Sequence, residues 1–133
     1  MFFQARLVIP PSTTQQEKVT AVLPVEPGMV RHIWVGFPQG CAELAHLQVF
    51  YHGWQVWPRP TDTSFAWNNF VYDFDDRYPV TAEPYEFTLR GWNEDDSYPH
   101  RIMFACIIDE TPEEQEIIEV SQVLIDLGLM EME

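Results

Sequence analysis

The stretch that decides the fold is His100-Arg101-Ile102-Met103-Phe104-Ala105-Cys106-Ile107-Ile108. Ile102, Phe104, Cys106 and Ile108 fall at every second position, which puts them on one side of an extended chain. Before it lies the polar turn Asn93-Glu94-Asp95-Asp96-Ser97, and before that Tyr85 to Trp92 alternates again, with Tyr85, Phe87 and Leu89 facing one way. Further back, residues 64–74 read as extended, with Phe70, Tyr72 and Phe74 at period two. Leu44 to His52 and Trp54 to Trp57 flank Gly53 as a hairpin would. Met29 to Phe37 sets Val30, His32, Trp34 and Gly36 against Arg31, Ile33, Val35 and Phe37. Val19 to Val25 stops at Glu26-Pro27-Gly28, and Phe3 to Ile9 stops at Pro10-Pro11. About eight short strands spaced by turns predict a mainly β chain, an antiparallel β-sandwich of jelly-roll kind over residues 1–108.

The pattern changes after position 108. Thr111-Pro112-Glu113-Glu114 has Thr at an N-cap, Pro at the first helical position and acids near the positive end of the helix dipole. Ile117, Val120, Leu124 and Leu127 then follow at spacings of three and four, and Gly128 is a stop signal. Residues 109–133 are expected to form an acidic, amphipathic C-terminal helix. Its apolar stripe either packs on the chain's own sandwich or docks on a neighbouring subunit.

Charge narrows the partners. The 133 residues hold 21 Asp and Glu against 7 Lys and Arg, a net charge of -14. Residues 109–133 carry nine of the acids and no base. Sequence-independent nucleic-acid binding needs Lys and Arg to displace phosphate counterions, so it is not expected, and neither is an anionic membrane surface. No apolar run approaches the length of a membrane span, and the N-terminus lacks a secretory signal pattern, so a cytoplasmic chain is expected unless it is carried into a particle. Cys41 and Cys106 sit beside apolar runs, with buried free thiols as the first reading and a single disulfide as the second.

Candidate chemistry is sparse. Asp73-Phe74-Asp75-Asp76 and Glu94-Asp95-Asp96 could offer oxygens to calcium, but the first string lacks the glycine and glutamate of an EF-hand loop, and solvated acidic turns are expected. His32, His46, His52 and His100 show no metal-ligand spacing. There is no nucleophile motif, no phosphate-cradling glycine loop and no CxxC, so no catalytic residue, metal or cofactor is assigned. Trp54, Trp57 and Trp67 lie near strand ends with Asp62, Asn68 and Asn69 nearby, a set able to stack on sugar rings and grip hydroxyls. A carbohydrate-binding module is therefore the alternative function.

Val35-Gly36-Phe37-Pro38-Gln39-Gly40-Cys41, Gln55-Val56-Trp57-Pro58 and Trp92-Asn93-Glu94-Asp95-Asp96-Ser97-Tyr98-Pro99-His100 resemble stretches of small proteins encoded by bacteriophages and prophages. The resemblance spans about residues 28–108. It implies a non-enzymatic virion structural role: capsid decoration, minor capsid or head-tail component. The implied partners are copies of the chain itself, as a trimer or ring, or a major capsid protein.

Overall fold

Alternating apolar residues pair the chain into eight strands: β1 (Phe2–Ile9), β2 (Val19–Pro24), β3 (Gly28–Phe37), β4 (Ala45–Tyr51), β5 (Trp54–Trp57), β6 (Phe70–Val80), β7 (Glu86–Asn93) and β8 (His100–Asp109). The structure is a computed structural model and describes residues 1–110. The helix expected after Thr111, with Ile117, Val120, Leu124 and Leu127, lies outside the described residues. Two antiparallel four-stranded sheets result: sheet 1 in the order β1-β8-β3-β6 and sheet 2 in the order β2-β7-β4-β5.

The pairing is nested. β4 pairs with β5, β3 with β6, β2 with β7 and β1 with β8. The chain is thus one long hairpin, rolled so that successive pairs fall alternately in the two sheets. Its tip is Tyr51-His52-Gly53-Trp54, where His52 and Gly53 take φ of 52° and 82°. Positive φ at both central residues is the turn whose twist matches the flanking strands.

Both sheets contribute to one core. Leu7, Ile9, Ile33, Val35, Phe104 and Ile108 come from sheet 1, and Leu23, Leu47, Val49, Phe87 and Leu89 from sheet 2. The Trp57 ring bridges them, 5.3 Å from Phe87 and 6.0 Å from Phe104. At Gly91 a β-carbon would lie 2.6 Å from Ile9 Cδ1 and 2.7 Å from the His46 carbonyl, so only glycine lets β7 approach β1 this closely. Cys41 and Cys106 are both buried and free. No described helix is long and apolar enough to cross a membrane.

Two expectations need correction. The segment read as extended over residues 64–74 forms strand only from Phe70, and the strand runs on to Val80 straight through Asp73-Phe74-Asp75-Asp76. Pairing with β3 holds these acids in a strand, so they are not a turn. The second correction is the facing of β3. The register shifts between Val30 and His32, and this bulge turns Val30 inward with Ile33 and Val35 instead of outward with His32 and Trp34.

Candidate functional site

In a strand with one face in the core, the opposite face belongs to solvent and is expected to be polar. Sheet 1 departs from that rule. Its register places outward residues in rows across four strands. Phe2, Ile107, His32 and Asp75 form one row; Gln4, Ala105, Trp34 and Asp73 the next; Arg6, Met103, Gly36 and Val71 the third. Phe2, Val8 and Val71 are about half exposed, at 54%, 51% and 48%. Phe2 meets Trp34 edge-on at 5.8 Å. A β-carbon on Gly36 would come within 3.2 Å of Met103 Cε, so glycine lets the Met103 side chain lie across β3. At this end Arg6, Gly36, Val71, Arg101 and Met103 line a shallow recess of about 240 Å³. Neither Arg6 nor Arg101 has an ion-pair partner among the described residues, whereas Arg31 pairs with Asp109 and Arg59 with Asp76.

At the β6 margin of this face, one imidazole is held between two carboxylates. His32 bonds through Nδ1 to Asp75 and through Nε2 to Asp73. The bond to Asp75, then the bond to Asp73, raises its pKa above the ordinary 6.5. The cation between two anions removes repulsion that alternate aspartates on one strand face would otherwise suffer. Both ring nitrogens are occupied, which leaves neither lone pair for a metal.

A second polar cluster closes one end of the fold. Asn93 is fully buried, donates to the carbonyls of Ile9 and Tyr98, and accepts the Asp95 N–H. Asp95 accepts the N–H groups of Ser97 and Tyr98, and His100 Nε2 donates to it at 2.8 Å. These donors, Ser97 first and His100 next, hold its pKa below the usual aspartate value. Burial pushes the Cys41 thiol up and the Asp95 charge adds to the effect, while burial takes Cys106 to about 12. At both positions burial favours the neutral thiol over the thiolate.

The outer face of sheet 2 mixes polar side chains with half-exposed Val22 and with Phe50, which lies under Arg90, and it is partly roofed. Gln48 and Gln55 both donate to the Thr63 carbonyl, Gln55 also donates to the Pro58 carbonyl, and the Asp62 N–H donates to Gln55. These bonds fold the 58–64 loop over β4 and β5. Beside it lies a recess of about 410 Å³ whose lining includes Gln48, Trp54, Gln55, Asp62 and Arg90. The three tryptophans expected as a platform separate. Trp54 is 79% exposed at the hairpin tip. Trp67 is half exposed in the loop before β6, edge-on to Phe70. Trp57 is core, with its indole N–H on Asp76 at 2.7 Å, so it cannot present a face to a ligand.

The expected acidic turns end up divided. Asp73 and Asp75 serve His32 on sheet 1, Asp76 serves Trp57, and Asp95 serves His100. Among the described residues, no group of three or more His, Cys, Asp or Glu is placed to hold a metal ion. The sequence reading missed the sheet 1 outer face, although a signal was present: Phe2, Val8, Trp34, Val71, Met103 and Ile107 hold positions that alternation assigns to solvent. No family model matches the chain, and no curated protein matches it in sequence.

Proposed function

We propose that the chain is a non-enzymatic structural module that assembles with copies of itself or with a shell protein. The role is that of a capsid decoration, minor capsid or head-tail component of a bacteriophage particle. The nested strand order supports a jelly-roll sandwich, an architecture suited to shells and their attachments. One observation carries the reading: Phe2, Val8, Trp34, Val71, Met103 and Ile107 all stand on the outer side of sheet 1, while His32 and His100 are tied to aspartates. Apolar side chains gathered on an outer face are a mark of association sites. Light scattering and co-sedimentation with phage shells test it. Self-association, or retention on shells that is lost in Trp34→Asp, is expected; a full-length protein that stays monomeric and never binds particles overturns it.

A second reading is carbohydrate binding. It is favoured by Trp54, exposed beside a recess lined by Gln48, Gln55, Asp62 and Arg90. A stacking ring next to hydrogen-bonding groups is the composition of a sugar subsite. A glycan array decides it: binding abolished by Trp54→Ala supports the reading, and an empty array removes it.

A further inference from the structure

An edge strand leaves one side of its backbone without partners, and folded proteins guard such edges with proline, bulges, inward charges, short length or a covering loop. Three of the four sheet edges here are guarded. β6 carries Pro79, a register shift and Asp76 turned to the Trp57 indole. β5 is four residues long and lies beside the 58–64 loop, which Gln55 ties down. β2 stops after six residues, at Pro24. β1 is different: it runs eight residues in unbroken register with β8, without a proline, and its one charge is Arg6. Met1 exchanges backbone bonds with Ile108, so the alternation of an antiparallel ladder turns the N–H and C=O groups of Phe2, Gln4, Arg6 and Val8 away from β8. Among the described residues, no backbone group bonds to them. The same strand carries Phe2 and Val8, both about half exposed, on its outer side, and Phe3 and Ala5, only partly buried, on its inner side.

We propose that a second copy of the chain occupies this edge: two β1 strands pair antiparallel about a two-fold axis at Ala5, joining two four-stranded sheets into one continuous sheet. The sequence of β1 argues for this occupant, because it complements itself. Only its even-numbered residues offer outward backbone groups, so an even-numbered residue must face an even-numbered one. Centring on Ala5 sets Phe2 opposite Val8 of the second copy and Gln4 opposite Arg6 of the second copy, and the symmetry repeats both pairs. Every outward residue of each strand is then matched. Apolar meets apolar, and the Gln4 side-chain carbonyl can accept from the guanidinium opposite. Moving the centre to Arg6 sets two guanidiniums face to face and puts Phe2 against Pro10, which has no N–H; moving it to Gln4 puts Phe2 against Arg6. On the inner side, Phe3 meets Leu7 of the second copy, which carries the core across the junction. Residues 1–16 hold no acid, so the pairing strands add no repulsion between carboxylates. This inference deepens the self-assembly reading given above and rests on it; what it adds is the strand that two copies share.

Disulfide trapping between full-length chains tests it. Chains carrying Gln4→Cys are mixed with chains carrying Arg6→Cys under mild oxidation, with Val22→Cys on sheet 2 as the control partner. Cys41 and Cys106 are buried. The expected result is a disulfide that joins the Gln4→Cys chain to the Arg6→Cys chain and joins neither to the control; its absence overturns the proposal. Sedimentation equilibrium gives a second readout, with the parent chain expected as a dimer. Gln4→Pro deletes an N–H that points away from β8, so the β1–β8 ladder keeps its bonds. The double variant Phe2→Lys, Val8→Lys sets like charges opposite each other and leaves the backbone alone. Either change acts twice across the axis and should raise the dimer dissociation constant at least about tenfold, with near-ultraviolet circular dichroism unchanged. A chain that self-associates as strongly in both variants uses another surface, which overturns this pairing and leaves the assembly reading standing. A monomeric parent that still binds shells does the same. A parent that neither self-associates nor binds shells overturns both.

Discussion

The two sheets share an interior yet differ in the balance of side chains they turn outward. Sheet 2 shows Thr20, Thr88, Arg90, Gln48 and Gln55 beside Val22 and Phe50; Arg90 lies over the Phe50 ring, and the 58–64 loop roofs Gln48 and Gln55 through named hydrogen bonds. Sheet 1 shows Phe2, Val8, Trp34, Val71, Met103 and Ile107, with polar groups confined to its margins. Core packing is not the reason, because both sheets place apolar side chains in the same core. The difference teaches that the outer face of a two-layer fold is free to vary, and that an apolar outer face is kept for something that lands on it.

The comparison breaks most completely at the position both sheets lean on. Gly91→Val drives a side chain into Ile9, Leu7 and the His46 carbonyl. It should cost at least about 3 kcal/mol and remove both faces in one transition, read by urea unfolding. Trp34→Ala comes next. If its face is covered, the loss should be about 3 kcal/mol, against about 1 kcal/mol for a ring left in water, and urea unfolding of the full chain separates the two. Gln55→Ala removes the bonds that hold the roof of sheet 2, at an expected cost of about 1–2 kcal/mol. Faster hydrogen exchange should be confined to residues 58–64, with the amides of β1 and β8 unchanged; spread into sheet 1 would show that the faces are not independent.

The smallest effect concerns the margin of sheet 1. The His32 pKa is raised in the folded chain, so its stabilising contribution is complete below the ordinary 6.5 and fades as pH climbs through the raised value. His32→Gln should therefore lag the parent most between about pH 5 and 6.5, where the aspartates remain charged, and the gap should close at alkaline pH. Thermal unfolding at several pH values checks this, and a gap that widens with pH would contradict the clamp.

Much of the β body was legible because the core side of each strand obeys a strict period. Phe87 and Leu89, or Ile102, Phe104 and Cys106, announce both the strand and its facing. The hairpin at His52-Gly53 was readable from the glycine alone. Legibility failed where a long-range partner overrode local chemistry. Asp73 to Asp76 look like a turn until His32 and Trp57, both distant in sequence, accept them into strand β6. Trp57 looks like a loop ring until the opposing sheet is in place around it. The facing of Val30 depends on a one-residue slip against β8 that no period reveals. The sheet 1 surface went unread because apolar residues on the outer side of a strand look like noise in a single strand and form a pattern only when four strands stand in register.

The nested pairing also constrains how the molecule can be made. β1 and β3 belong to one sheet but do not touch, and the slot between them is filled only by β8. While a ribosome is still adding residues toward position 100, that slot stands open, with unpaired backbone on both of its walls. The hairpin at the tip can close early, since its two strands are neighbours in sequence, but sheet 1 must wait for nearly the whole described chain. A nascent chain of this kind is at its most vulnerable to foreign strands just before its last insertion, and speed of elongation through β7 and β8 sets how long the gap stays unguarded.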